Sequence, residues 1–206
     1  MRIKYLLIYC MLFSVTLSGC GPKDDAAVTD ESETVINIYK RAIKINPNND
    51  SAYNGLGIEY GSISQNAKAI DAFKKAIEIN PDDATYYDNL AVVYGNIGKL
   101  DLAIENHKKA LELNPKLVNA MYNLAICYKD KGDIDMAIKM WEKAYELSAK
   151  YLYAYNLGVC YFEKRDYDKA KTFFTEVLEL SPDVNILRQT KKYLERLEIV
   201  TEFEQQ

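Results

Sequence analysis

A period of 34 residues constrains this chain more than any other feature. Tyr53, Leu56, Gly57, Tyr60, Ala69, Phe73, Ala76 and Pro81 mark one unit, and Leu90, Ala91, Tyr94, Ala103, Ala110 and Pro115 repeat its spacings. Such a period belongs to small units that cannot bury an apolar face alone and do so by stacking on their neighbours. Within a unit the apolar residues fall at helical spacing on two successive runs. Gly98 and Gly132 suit the left-handed residue that ends a first helix, and Pro81, Pro115 and Pro182 stop the second. Ser64 and Arg165 stand at that turn in the first and last units, which predicts a costlier or differently shaped turn there.

These residues resemble the tetratricopeptide repeat. The resemblance implies an all-α, right-handed α-solenoid of stacked helix-turn-helix repeats with capping helices at both ends. Leu56, Leu90, Leu124 and Leu157, spaced 34, 34 and 33 apart, set four repeats at 50–83, 84–117, 118–150 and 151–184. Small residues at Gly57, Ala91, Ala125 and Gly158, and again at Ala69, Ala103, Ala137 and Ala170, mark the close approach of paired helices. Tyr60, Tyr94, Tyr128 and Tyr161 fill the first-helix slot, and Phe73, His107, Trp141 and Phe174 the second. Residues 33–49, with Val35, Tyr39, Ala42 and Ile43, read as a second helix lacking its first, a cap on the stack. Residues 185–206 read as a closing helix behind the N-cap candidate Asp183, with Leu187, Thr190, Leu194 and Leu197 inward. Only 9 Gly and 5 Pro against 17 Tyr suit stacked helices better than a many-turned β fold.

Residues 1–19 have another character: Arg2 and Lys4, an apolar run from Tyr5 to Leu17, then Ser18 and Gly19. This is the pattern of a signal peptide, and the run is short of the roughly 20 residues that span a bilayer. Leu17, Ser18, Gly19 and Cys20 resemble the lipobox of bacterial lipoproteins, which implies cleavage before Cys20 and covalent lipid on its sulfur and new amino group. Ordinary secretory cleavage near Gly19, leaving an unmodified Cys20, is the other reading. Two or three acyl chains hold a protein stably on a membrane. Gly21 replaces the Asp that resembles an inner-membrane retention signal. The expected location is therefore the bacterial cell envelope, on the periplasmic face of an outer membrane where one exists and otherwise the outer face of the cytoplasmic membrane. Residues 20–32, polar and acidic, read as lipidated Cys and flexible tether.

The net charge of −4, or −6 without the leader, repels phosphate backbones, so no nucleic acid partner is expected. Membrane attachment is expected through the lipid alone. His107 is the only histidine, so no His-based metal site or catalytic triad can be assembled, and it is read as core filler. Cys127 and Cys160 occupy one small slot in neighbouring repeats and are read as free buried thiols. Gly55, Gly57 and Gly61 lack the preceding strand of a nucleotide-binding turn. Neither a catalytic set nor a cofactor beyond the Cys20 lipid is expected.

The concave face remains. Asn89, Asn123 and Asn156 precede three of the four marker leucines and resemble the asparagine ladder of tetratricopeptide superhelices that grip extended peptides; an amide offers donor and acceptor to any peptide group. Local support of the repeat is the other use of Asn there. Around the ladder lie Ile58, Val92, Ile126 and Val159, with Tyr122, Tyr155, Phe162 and Tyr193 toward the C-terminal end, as an exposed binding surface or partly covered by the closing helix. Asn54, Asp88, Tyr122 and Tyr155 replace the basic residues of the carboxylate clamp, so an acidic C-terminal peptide is disfavoured. The expected function is a non-catalytic scaffold or adaptor that binds a peptide segment or partner protein during assembly of an envelope complex, by analogy with lipoprotein pilotins and adaptors of peptidoglycan enzymes. A periplasmic holdase-type chaperone of broad clientele is the alternative, and a homodimer through the aromatic end or a cap helix is a third reading.

Overall fold

The computed structural model describes residues 25–204, with side-chain surroundings for 32–201. The leader and Cys20 lie outside the described residues. Among the described residues there are ten helices and no strand: α1 (Asp25–Ile45), α2 (Asp50–Ser62), α3 (Asn66–Ile79), α4 (Ala84–Asn96), α5 (Leu100–Leu113), α6 (Val118–Lys131), α7 (Ile134–Leu147), α8 (Tyr151–Glu163), α9 (Tyr167–Leu180) and α10 (Val184–Glu204). The pairs α2/α3, α4/α5, α6/α7 and α8/α9 form hairpins, and each helix otherwise packs mainly on its neighbours in sequence.

All four hairpin turns share one geometry. Ser64, Gly98, Gly132 and Arg165 have φ of 60°, 75°, 89° and 62°. The following amide donates to the carbonyl of the slot tyrosine, Gln65 to Tyr60, Lys99 to Tyr94, Asp133 to Tyr128 and Asp166 to Tyr161, at 2.8–2.9 Å. This is the Schellman closure, which uses carbonyls the helix end leaves unpaired. The turn at Ser64 and Arg165 thus has the shape of the glycine turns, correcting the alternative of a different shape; its cost is a side chain held in the left-handed region.

Between repeats, Asn80–Asp83 and Asn114–Leu117 form four-residue connections, while only Ser148–Lys150 links α7 to α8. The single deletion in the period therefore falls in a loop, where it leaves helix pairing intact.

The core runs the length of the stack. Ala69, Ala103, Ala137 and Ala170 are wholly buried, as are Ala76, Ala110, Ala144 and Val177. Where the second helix presents Phe, the facing slot is glycine: a Cβ on Gly57 would lie 2.7 Å from the Phe73 ring, and one on Gly158 2.7 Å from Phe174. Ala91 and Ala125 hold the same slot beside His107 and Trp141, so ring and small residue are matched repeat by repeat.

The ends differ from expectation in one respect. α1 begins at Asp25, inside the segment 20–32 read as tether and eight residues before the cap boundary at 33. Ala26 and Ala27 have high helix propensity, and no Gly or Pro follows Pro22 until Pro47, so nothing in the sequence stops the cap helix from extending. At the other end Ile186, Thr190 and Leu197 of α10 are buried, while Leu187 and Leu194 are half-buried.

Candidate functional site: the concave face

The first helices α2, α4, α6 and α8 place three aligned rows on one face. The row at Asn54, Asp88, Tyr122 and Tyr155 is followed by Gly55, Asn89, Asn123 and Asn156, and then by Ile58, Val92, Ile126 and Val159. Ile58 is exposed; Val92, Ile126 and the three ladder Asn are half-buried. Val159 is only 6% exposed and packs in the core. Its expected place in the groove lining is corrected: in the last repeat the valine faces the packed interior.

The asparagines make contacts within the protein. The Asn89 amide donates to Asn54 Oδ1 at 2.9 Å, linking the second repeat to the first. Asn156 donates to the Leu152 carbonyl at 2.8 Å, one turn back on α8. Burial pushes the ionisation of the neighbouring Tyr122 hydroxyl above the usual phenol range, and the nearby Asn156 amide partly offsets it. Each of these amides therefore supports neighbouring structure while retaining further donor and acceptor capacity. Asn54, absent from the expected ladder, belongs to it by contact.

At the N-terminal end Gly55 stands in the ladder row because α1 fills the space. A Cβ there would lie 2.3 Å from the Tyr39 ring. At the C-terminal end α10 does the corresponding filling. Tyr193 stacks on Phe174 with centroids 4.8 Å apart, and meets Phe162 at 5.2 Å and Tyr155 at 6.4 Å. The Tyr155 hydroxyl donates to Gln189 at 2.7 Å, and the Arg196 guanidinium lies 5.3 Å over Phe162. Tyr122 turns inward too, 6.4 Å from Trp141 and 5.3 Å from Tyr153. Of the two arrangements expected here the freely exposed one is corrected and the partly covered one is seen: Tyr155 and Phe162 form a joint with Tyr193 of α10, because rings packed against one another remove apolar area from water.

His107 is 1% exposed and not mere filler, for its Nδ1 lies 2.7 Å from Asp88 Oδ1, itself buried. A signal for this pair was present in the sequence. Across the repeats the paired slots read Asn54/Phe73, Asp88/His107, Tyr122/Trp141 and Tyr155/Phe174, and the single imidazole coincides with the single carboxylate. Asp88 thus serves the core, and its slot does not present charge to a ligand. Cys127 and Cys160 are free and buried, and burial pushes their thiols up to about 12 and about 11. Among the described residues no group of His, Cys, Asp and Glu is placed to hold a metal ion.

Sequence profiles described as tetratricopeptide repeat match residues 51–83, 72–105 and 116–183, and one described as TPR repeat matches 96–132. No curated protein matches the sequence. Among solved structures, MamA is 26% identical with a TM-score of 0.68, over 86% of this chain and 100% of that one. YrrB, described as a TPR protein with an unusual peptide-binding site, is 24% identical with a TM-score of 0.65, over 81% and 86%. The pilF protein of Pseudomonas aeruginosa has a TM-score of 0.72 at 15% identity, over 85% and 86%, a likeness of fold alone. The helix pairs, their shared turns and the contiguous matches over 51–183 agree: this right-handed α-solenoid belongs to the tetratricopeptide repeat family.

Proposed function

We propose that this protein is a non-catalytic adaptor of a bacterial cell envelope, held by lipid on Cys20, that grips an extended protein segment in its concave groove. One observation carries the groove: half-buried amides at Asn54, Asn89, Asn123 and Asn156 run beside exposed to half-buried Ile58, Val92 and Ile126 across the first three repeats and into the fourth. Amides match peptide groups whatever the side chains, and the aliphatic row receives alternate apolar residues of an extended strand. MamA and YrrB share this architecture, and YrrB is a TPR protein described as having a peptide-binding site. The anchor rests on the leader and on Leu17, Ser18, Gly19 and Cys20; among the described residues no helix is long and apolar enough to cross a membrane.

Because α10 occupies the aromatic end, the ligand is assigned to the part of the groove from Ile58 to Ile126. The deciding measurement is affinity capture from envelope extracts after crosslinking. A single stoichiometric partner is expected, lost when Ile58, Val92 and Ile126 are changed together to Ser while the helical melt stays within a few degrees. A smear of clients with the parent chain replaces the adaptor by a holdase, and undiminished capture by the triple variant places the ligand elsewhere. Fatty-acid labelling that persists in Cys20→Ala excludes the anchor.

A further inference from the structure

α10 takes the place that a first helix would take in a fifth repeat. Ile186 and Thr190 follow Tyr153 and Leu157 by 33 residues, the same step as from Leu124 to Leu157, and all four side chains are buried. The Thr190 hydroxyl donates to the Ile186 carbonyl at 2.8 Å, which lets a polar residue stand in the leucine slot. α10 packs on α9 as each earlier first helix packs on the second helix before it. Hydrogen bonds between repeats keep the same register. Asn89 donates to Asn54 across the first junction, and Tyr155 donates to Gln189 across the last, at 2.9 and 2.7 Å. Asn54 and Tyr155 belong to one row, so Gln189 is the member on α10 of the asparagine row.

The concave face therefore continues over α10, and there its character changes. Carried on by 33 residues, the rows of Tyr155, Val159 and Glu163 arrive at Arg188, Lys192 and Arg196, all exposed. Four residues apart, these three cations lie along one side of the helix, bordered by the single carboxylate of Glu195. The guanidinium of Arg196 lies 5.3 Å over Phe162, which holds it toward the groove. On α6 the cation Lys129 is taken up by Glu163 at 3.6 Å, whereas among the described residues Arg188, Lys192 and Arg196 enter no ion pair.

We infer that the protein segment held in this groove carries Asp or Glu side chains that pair with Arg188, Lys192 and Arg196, while its apolar residues sit on Ile58, Val92 and Ile126. The inference rests on the peptide-binding groove proposed above and names the chemistry of its occupant. Guanidinium and ammonium groups pair with carboxylates, and the guanidinium does so through two parallel hydrogen bonds. The chain as a whole is acidic, with a net charge of −4, and Asp130 follows Ile126 by one helical turn. An acidic stretch is therefore drawn to α10 and disfavoured beside Asp130, which sets the end of the segment that lies over α10. Two steps between first helices, at about 10 Å each, separate Ile126 from Lys192, a span that an extended chain crosses in about six residues. Exposed ion pairs contribute little singly, so α10 selects and orients the segment while the apolar row supplies most of the affinity.

The test pans random peptides of about 16 residues, displayed on phage, against the full chain purified in detergent; at about 3.3 Å per residue they can run from Ile58 to Lys192. The selected peptides should combine alternating apolar residues with two or more Asp or Glu about six positions away. Arg188→Glu with Lys192→Glu should turn that enrichment toward Lys and Arg. A synthetic copy of the commonest selected peptide, followed by fluorescence anisotropy, should bind the Arg188→Gln, Lys192→Gln variant about 3- to 20-fold more weakly, with the difference shrinking at high salt. Both side chains are exposed, so the variant should melt with the parent. The same peptide with its acids changed to Asn and Gln should bind parent and variant alike. Apolar peptides without acidic enrichment, lost when Ile58, Val92 and Ile126 are changed together to Ser, overturn the role of α10 and leave the groove standing. Selection that survives the triple change, or that yields no peptide from the parent, overturns both.

Discussion

At the scale of single residues the paired slots facing each other inside a repeat carry most of the individuality of this protein. Asp88 and His107 replace an amide-aromatic or aromatic-aromatic pair by a buried hydrogen bond, and removal of either partner strands the other in the core. Asp88→Ala and His107→Leu should each destabilise the chain by about 2–4 kcal/mol in urea unfolding, and the double variant should fall short of the sum by about 1–3 kcal/mol. Additive losses would show that the 2.7 Å contact contributes nothing of its own. The thiols make a second prediction. Below about pH 8 both folded and unfolded states keep Cys127 and Cys160 largely protonated, so neither affects the pH dependence. From about pH 8 upward the unfolded chain releases protons that the folded chain retains until about 12 and about 11, so stability falls as pH rises through that window. Replacing both by Ala should flatten that alkaline decline, as followed by thermal unfolding at pH 8 to 11. At pH 8 a thiol-exchange reagent should label the native protein only as fast as it opens.

At the scale of elements the turns show how far the sequence can be read. Gly98 and Gly132 announced left-handed helix ends, since glycine adopts that region without strain. Ser64 and Arg165 gave no such sign, yet the chain closes all four turns with the same hydrogen bond, because the packing of the two helices dictates the path between them. Arg165→Gly should therefore raise stability by up to about 1 kcal/mol, the relief of left-handed strain less the added freedom of the unfolded chain. An unchanged or lower melting temperature would mean the Arg165 side chain makes compensating contacts. The pairing of the helices, the small-residue slots and the buried thiols were legible because each recurs at a fixed spacing. The lining of the groove was only partly legible. Val159 and Val92 occupy the same slot, yet one is buried and the other half-buried, a difference that no period encodes. The start of α1 was obscured for a related reason: polar, acidic residues look like a tether, whereas the end of a helix depends on the presence of a stop signal.

At the scale of the whole molecule, contacts run almost entirely between neighbouring helices, so stability is a sum of local interfaces and need not be uniform along the stack. The large side chains buried to below 2% exposure are concentrated toward the C-terminal half: Trp141, Phe174, Leu124, Leu157, Val177, Thr190 and Cys160, with His107 and Phe73 before them. α1 closes its end with Ile36 and Tyr39, and leaves its other side open. Hydrogen exchange followed by mass spectrometry should accordingly show protection rising along the chain, lowest in α1, intermediate in α2 and α3, and highest from α6 to α8. The gradient has a functional bearing, since the groove segment from Ile58 to Ile126 spans the transition from the loosely held end to the firmly held centre. A ligand seated there gains contact with α2 only when the first repeat is closed, so its binding free energy should appear as added protection in α2 and α3, with the already stable α8 unchanged. Exchange that is uniform from α2 to α9, with or without ligand, would show that the repeats open together and that the terminal interfaces are as strong as the central ones.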